Sequence, residues 1–127
     1  MQIKTNQFGV IEFNSNNIIK FESGIFGFEQ LKNYLLIKSE NNVFFWLYSI
    51  DEPEIVFPMI GLRLIDDVYP QEKDHEAFGI VNMNQDISKI TANLKAPVYI
   101  NQSTNNGYQK ILDSDKYPIK YNLFKEE

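Results

Sequence analysis

The stretch Val43-Phe44-Phe45-Trp46-Leu47-Tyr48-Ser49 carries large apolar side chains at both alternating positions of an extended chain. A strand with one solvent-exposed face would alternate apolar with polar residues. This run is therefore predicted to form a central strand that is covered on both faces. The apolar run at 34–38 precedes it, and the polar residues at 39–42 between the two runs predict a turn.

Further strand patterns lie on both sides of this pair, as short β-branched and aromatic runs that Asn, Gly, Pro and Asp interrupt. Asn14-Ser15-Asn16-Asn17 separates two of them, 8–13 and 18–21, and predicts a hairpin. Pro58 and Gly61 predict that the strand at 55–62 is kinked or lies at a sheet edge. The remaining strands are predicted at 77–83, 97–101, 108–112 and 119–124. Helical periodicity is limited to one or two turns over 28–34 and the start of another over 85–90.

Length and composition predict the fold class. The chain has 127 residues, 43% of them hydrophobic, and this size suits one core and leaves no room for a second. No repeat or linker divides it, so residues 1–127 are interpreted as a single domain. About nine short strands would leave exposed edges unless the sheet closed or stacked. We therefore expect an all-β, mainly antiparallel domain, a small β-barrel or β-sandwich with minor helical turns.

The residue types that carry most catalytic and metal chemistry are scarce. With no cysteine, the chain lacks disulfides, thiolate nucleophiles and iron–sulfur ligands. The single histidine, His75, is flanked by Asp74 and Glu76, whose side chains point away from it on an extended chain, so a solvated loop is favoured over a metal site or a hydrolase centre. We predict no cofactor, no metal and no enzymatic activity.

The glycine pair in Gly24-Ile25-Phe26-Gly27 also has a structural interpretation. A phosphate-binding loop needs a following lysine and a long helix, and both are missing here. The pattern instead predicts a turn whose glycines allow positive φ, with Ile25, Phe26 and Phe28 folding back onto the core.

Negative charge is concentrated in one part of the chain. The net charge is −5, whereas residues 51–76 alone carry −6, from eight acidic and two basic residues. A domain without a basic stripe is a poor candidate for binding nucleic acid directly, and a basic protein is the better expectation. The eight acidic residues are Asp51, Glu52, Glu54, Asp66, Asp67, Glu72, Asp74 and Glu76.

Apolar residues beside this acidic segment offer a second kind of contact. Ile55, Phe57 or Met59, placed at an edge strand, would let a partner segment pack or add a strand. The amino-terminal residues lack the apolar run of a signal peptide, and no stretch approaches the ~18 apolar residues of a membrane span. We expect a cytoplasmic protein with no membrane partner.

A carbohydrate- or single-stranded nucleic-acid-binding barrel is an alternative from another functional class. In that case Phe44, Phe45, Trp46 and Tyr48 would form a stacking platform instead of filling the core. Exposed aromatics along one concave strand face beside lysine would favour this alternative. Buried aromatics together with a continuous acidic face would favour protein recognition.

Several stretches together carry a family resemblance. They are Phe21-Glu22-Ser23-Gly24-Ile25-Phe26-Gly27-Phe28-Glu29, then Phe45-Trp46-Leu47-Tyr48-Ser49 with Pro53 and Phe57, then Thr91-Ala92-Asn93-Leu94-Lys95-Ala96-Pro97-Val98-Tyr99-Ile100-Asn101, then Gly107, Gln109, Leu112 and Tyr117-Pro118. In this order and at these spacings they closely resemble the FliW family of flagellar assembly factors. Phe26 departs from the family pattern, which usually has proline there.

The resemblance implies a small antiparallel β-barrel-like domain that binds proteins in the cytoplasm and has no catalytic activity. FliW-like proteins bind flagellin, and alternatively bind the translational repressor CsrA and so prevent it from silencing flagellin messenger RNA. The implied mechanism is an exchange of partners by mass action, in a monomer or weak oligomer. We expect the eight acidic residues to face CsrA, and Phe57 and Met59 to line an apolar groove for an amphipathic helix of flagellin.

Overall fold

The computed structural model describes residues 1–40 and 43–124. The turn predicted at 39–42 includes Asn41 and Asn42, which lie outside the described residues. The strands of the described part are β1 (Gln2–Thr5), β2 (Gly9–Glu12), β3 (Ile19–Lys20), β4 (Asn33–Lys38), β5 (Phe44–Ser49), β6 (Val56–Gly61), β7 (Glu76–Asn82), β8 (Thr91–Ala92), β9 (Val98–Asn101), β10 (Asn106–Gln109) and β11 (Tyr121–Asn122).

Seven of these strands close into a barrel in the order β7-β6-β5-β4-β3-β10-β9, with β9 pairing back onto β7. All pairs are antiparallel except β3 and β10, which meet in parallel where Lys20 lies opposite Asn106. The all-β expectation is confirmed, in its barrel form. Every helical segment in the described ranges is a three-residue 3-10 turn, so no helix there could cross a membrane.

The apolar residues of β5 are divided between the inside and the outside of the barrel. Phe45 and Leu47 point inward and pack with Met59, Phe78 and Val98 in the interior cluster. On the opposite side of β5, Trp46 and Tyr48 pack with residues of the β1–β2 hairpin, and Phe44 packs against a second cluster outside the barrel. The prediction that this run is a central strand covered on both faces is therefore confirmed.

Two further apolar clusters cover the outside of the barrel. The β1–β2 hairpin places Ile3 against Leu35 and Tyr48. On another side, Leu62, Tyr69 and Tyr117, which follow β6 and precede β11, pack over residues from β7 and β9. The extra chain around the barrel thus shields aromatic side chains that would otherwise be exposed to water.

The predicted hairpin between 8–13 and 18–21 is wrong. β2 pairs with β1, a strand that the sequence patterns did not indicate, and Ile11 lies opposite Ile3. Residues Ser15–Asn17 form a 3-10 turn instead of a hairpin loop. The Asn14 side-chain oxygen accepts the Asn16 N–H, and the Asn17 side-chain oxygen accepts the Asn14 N–H. The two asparagines therefore cap this turn reciprocally.

The prediction that the strand at 55–62 is kinked or lies at a sheet edge is correct only for the first half of β6. Pro58 pairs only with β5, because the pairing with β7 begins at Met59, so the first half of β6 is an edge and the second half is central. The helical turns expected over 28–34 are also wrong, since that segment holds a turn followed by β4. The expectation at 85–90 is met in part by the 3-10 turn Ile87–Lys89.

The buried side chain of Tyr34 ends in a polar hydroxyl group. Its ring is 0% exposed and packs edge-on against Phe21, yet its hydroxyl has no hydrogen-bond partner among the described residues. Burial raises the pKa of Tyr34 to about 12, and the negative charge of Asp51 makes a smaller contribution in the same direction. Because an unsatisfied buried hydroxyl is destabilising, Tyr34→Phe should raise the free energy of unfolding, measured in urea, by about 1 kcal/mol.

Tyr69→Phe is the matched control. Tyr69 is equally buried, but its hydroxyl donates to the Leu94 carbonyl at 2.5 Å. Removing that donor should lower the free energy of unfolding by about 1 kcal/mol. A loss of stability in Tyr34→Phe as large as that in Tyr69→Phe would contradict the prediction.

Candidate functional site

An apolar groove of about 430 Å³ opens at one end of the barrel. Its floor includes Phe57 and Ile80, which also pack against the interior cluster. Two side chains in it are unusually exposed for apolar residues: Phe26 at 49% and Ile119 at 61%. Exposed apolar surface next to a concave floor is typical of a protein-binding site.

One wall of the groove is the turn at 23–29. Gly24 and Gly27 have φ of 68° and 89°, so the predicted positive φ at both glycines is confirmed. The Phe28 N–H donates to the Ile25 carbonyl at 2.7 Å and closes the turn. The Glu29 carboxylate accepts the Gly27 N–H at 3.1 Å, and backbone N–H groups of Gly27 and Glu29 lower the pKa of Glu29.

This turn sends its apolar side chains in different directions. Ile25 is 1% exposed and belongs to the interior cluster, and Phe28 packs edge-on against Phe57 with ring centroids 5.2 Å apart. Phe26, by contrast, lies at the tip between the two glycines and remains half exposed. The expectation that Phe26 folds back onto the core is therefore wrong, because the tight turn leaves its side chain on the groove.

The other wall comes from the segment 93–97 and from Ile119. The Asn93 side-chain oxygen accepts the N–H groups of Lys95 and Ala96, both at 3.0 Å, and shapes the local turn. The Leu94 N–H donates to the Pro118 carbonyl at 3.0 Å, which attaches the C-terminal segment beside this wall. Gln109 lies between the two walls: its side chain accepts from the Phe26 N–H and donates to the Ala96 carbonyl, both at 3.0 Å.

The two apolar residues predicted for partner binding have different positions. Phe57 lines the groove and is half-buried. Met59 is 0% exposed in the barrel interior. The expectation for Met59 is wrong because β6 is paired on both sides at that residue and its side chain points inward.

The eight acidic residues do not form one continuous face. Asp51, Glu52 and Glu54, which we call the acidic turn, lie between β5 and β6, and the other five, which we call the far acidic group, lie between the end of β6 and the first residue of β7. The six-residue strand β6, which spans about 20 Å when extended, lies between the two groups along the chain. Phe57 lies three residues after Glu54, so the acidic turn is at the same end of β6 as the apolar groove.

Two members of the far acidic group have structural partners. The Asp66 carboxylate accepts hydrogen bonds from the Val68 N–H and the Tyr117 hydroxyl. Both bonds lower the pKa of Asp66, and the bond from Val68 has the larger effect. Glu72 forms an ion pair with Lys110, which lowers the pKa of Glu72. Both carboxylates are therefore bound to groups of the same chain, and Asp67, Asp74 and Glu76 are the remaining members of the far acidic group.

A mixed-charge cleft of about 580 Å³ is lined by members of the far acidic group and contains His75. The imidazole packs edge-on against Tyr108, and its Nδ1 lies 2.6 Å from the Lys73 carbonyl oxygen. Burial raises the pKa of Glu76, and Lys38 opposes that shift. No group of three potential metal ligands occurs within the described ranges.

The aromatic residues of β5 do not form an open stacking platform. Phe45 and Tyr48 are buried, and Trp46 is half-buried beneath Phe8, with ring centroids 6.4 Å apart. Of the two features expected for protein recognition, the burial of these aromatics is present and the continuous acidic face is absent.

Sequence reasoning assigned only Phe57 of this lining to a groove, and it did not indicate the groove positions of Phe26, Gln109 and Ile119. Only Phe26 had a local signal, since it is a large apolar residue between two turn glycines. Gln109 was noted only as part of the family resemblance and Ile119 only within a predicted strand, and the contacts in the folded chain are what place both at the groove.

Comparisons with known proteins agree along almost the whole chain. The model of the family described as FliW protein matches residues 2–123. The flagellar assembly factor FliW of Caldanaerobacter subterraneus subsp. tengcongensis is 42% identical, covering 99% of this chain and 95% of the relative. That of Clostridium botulinum is 37% identical, covering 100% and 99%. A crystal structure of the flagellar assembly factor FliW superposes with a TM-score of 0.89 at 29% identity, covering 100% of this chain and 99% of the other.

Proposed function

Because this chain belongs to the FliW family of flagellar assembly factors, we propose that it is a non-catalytic cytoplasmic protein that binds flagellin and, alternatively, the repressor CsrA. Both partners are those that the resemblance to the FliW family implies. Flagellin that has not been exported occupies this protein and leaves CsrA free to repress translation. Once flagellin is exported, this protein is free to bind CsrA.

The observation that carries the flagellin half of the proposal is the apolar groove. A preformed concave surface with an apolar floor accepts the apolar face of an amphipathic helix, which loses its contact with water on binding. Phe26 and Ile119 supply exposed apolar area on the rim, and the half-buried Phe57 supplies a floor that extends into the core.

Titration calorimetry with purified monomeric flagellin tests this half directly. We expect a 1:1 complex with a dissociation constant in the micromolar range or tighter. Burial of apolar surface should also give a negative heat-capacity change when the titration is repeated at several temperatures. Absence of heat at micromolar concentrations, confirmed by size-exclusion chromatography, would reject flagellin as the partner.

The acidic turn supports the CsrA half of the proposal. A protein that binds RNA carries clustered positive charge, and Asp51, Glu52 and Glu54 are exposed, with no ion pair to any residue of the described chain. Their position beside the apolar groove means that a protein bound at the acidic turn would be next to a helix in the groove. Overlap of two partners at this end of the barrel would make their binding mutually exclusive.

Binding of CsrA should therefore depend strongly on salt. Opposite charges steer association, and salt screens them, so the association rate is expected to fall about tenfold between about 50 and 500 mM NaCl. Stopped-flow or surface-plasmon measurements provide this rate. A rate that does not change with ionic strength would contradict electrostatic steering.

Two matched triple variants locate the steering charges. Asp51→Asn/Glu52→Gln/Glu54→Gln removes the acidic turn, whereas Asp67→Asn/Asp74→Asn/Glu76→Gln removes the same formal charge at the far end. We expect the first variant to flatten the salt dependence and the second to leave it near that of the parent protein. The reverse result would place CsrA at the far end of the barrel.

A further inference from the structure

We propose that Gln109 is a positioning residue that holds the two walls of the apolar groove at a fixed separation, so that the groove is preformed when a partner helix arrives. This inference rests on the proposed function of the groove as the flagellin site. It assigns a role to a residue that belongs to neither the exposed apolar rim nor the acidic turn.

The Gln109 side chain connects parts of the chain that are distant in sequence. Its Oε1 accepts the Phe26 N–H at 3.0 Å across 83 positions, and its Nε2 donates to the Ala96 carbonyl at 3.0 Å across 13 positions. The residue itself lies in β10, where it pairs with Val98 of β9. A rigid strand of the barrel thus carries the amide that joins the two walls.

The amide is chemically suited to this connection. It offers an acceptor and a donor on one planar group, whereas a carboxylate offers acceptors only and an aliphatic side chain offers neither. The acceptor meets an N–H and the donor meets a C=O, so both backbone groups are satisfied at the border of an apolar groove. Loss of the amide would leave both groups without this partner and disfavour the present arrangement of the walls.

Phe26 is the residue that depends most on this connection. Its side chain is 49% exposed, so packing holds it only in part, and its backbone N–H is fixed by Gln109. A turn tip that is free to move would have to be ordered when the partner binds, and ordering lowers affinity without removing any contact. Gln109 therefore acts on affinity through Phe26 and Ala96.

The first measurement is amide hydrogen exchange at Phe26, followed by NMR without any partner. In Gln109→Leu we expect the protection of this amide to fall at least about tenfold while that of barrel amides is retained. Gln102→Leu is the control, because Gln102 is exposed and lies outside the groove. Unchanged protection at Phe26 in Gln109→Leu would overturn the proposed connection.

The second measurement is affinity for purified flagellin, with Gln109→Glu as the conservative variant. We expect Gln109→Leu to bind about tenfold more weakly than the parent protein at every pH. Gln109→Glu should bind weakly at pH 7.5, where the carboxylate repels the Ala96 carbonyl, and should recover toward parental affinity near pH 4, where a carboxyl with the ordinary glutamate pKa of about 4.3 is mostly protonated and can donate to that carbonyl. The parent protein, measured alongside at both pH values, provides the reference.

The two measurements separate failure of this inference from failure of the proposed function. If Gln109→Leu loses protection at Phe26 and still binds flagellin like the parent protein, Gln109 does not position the groove. The same conclusion follows if Gln109→Glu shows no recovery near pH 4 relative to Gln109→Leu. If the parent protein does not bind flagellin, the proposed function fails, and with it the role of Gln109 in binding, while hydrogen exchange still decides whether the connection exists.

Discussion

Gly24→Ala is expected to lower the free energy of unfolding by about 2–5 kcal/mol, measured by urea denaturation. Gly24 has a φ of 68°, which an L-residue adopts only with strain. A Cβ at this position would also lie 2.6 Å from the Glu29 Cα and 2.8 Å from the Glu29 carbonyl oxygen. Both are backbone atoms, so no side chain can rotate away to relieve the overlap.

Gly9→Ala separates the two causes. Gly9 has the same φ of 68°, but a Cβ there would have no atom within 4 Å. This variant should therefore lose only the conformational part, about 1–2 kcal/mol. Equal losses in the two variants would show that the close approach of the Glu29 backbone contributes nothing.

The Gly24 result bears on function because Gly24 belongs to the wall that carries Phe26. An alanine that pushes Glu29 away would displace the turn and the hydrogen bond from the Gly27 N–H to the Glu29 carboxylate. We therefore expect the fraction of Gly24→Ala that remains folded to bind flagellin more weakly than Gly9→Ala does. The comparison is made at a temperature where both variants are folded.

Ile119→Ser is expected to weaken flagellin binding by about 1–2 kcal/mol, roughly 5- to 30-fold in the dissociation constant. Ile119 is 61% exposed, so the folded protein loses little packing when it is truncated, whereas a bound helix would cover the same surface. Phe26→Ser should give a loss of similar size for the same reason. Calorimetry with monomeric flagellin provides both values.

Ile111→Ser is a matched control for Ile119→Ser. Ile111 is the same residue type, 62% exposed, on the same C-terminal segment, but it does not line the groove. Its replacement should leave flagellin affinity within about twofold of the parent protein. If both variants weaken binding equally, the contact surface is not the groove. Met59→Ala is unsuitable for this purpose, since a buried interior residue would lose stability first.

Strand patterns were reliable where the apolar run was long enough to show a period. The runs at 34–38 and 43–49 form β4 and β5 as expected, with Leu36 opposite Leu47. The pattern at 8–13 also forms a strand, but the expected pairing was wrong, because the asparagine cluster caps a 3-10 turn. β1 and β8 were missed, since segments of two to four residues carry too few side chains to show a period.

The acidic segment shows the limit of charge patterns. Concentration of eight acids in 26 positions indicated an interaction surface. The chain crosses the barrel along β6 within that segment, so the acids are separated in space although they are close in sequence. Proximity along an extended strand differs from proximity on a surface, because each strand residue moves the chain by about 3.3 Å.

The all-β class, the buried central strand and the positive φ of Gly24 and Gly27 follow from the order of the residues alone, since each depends on local backbone geometry or on apolar alternation. The apolar groove and its Gln109 connection do not. They bring together Phe26, Phe57, Gln109 and Ile119 from four separate parts of the chain, and no local sequence pattern predicts that these residues are neighbours. Barrel closure places these residues side by side, because the return of β9 onto β7 sets which strand ends share one rim.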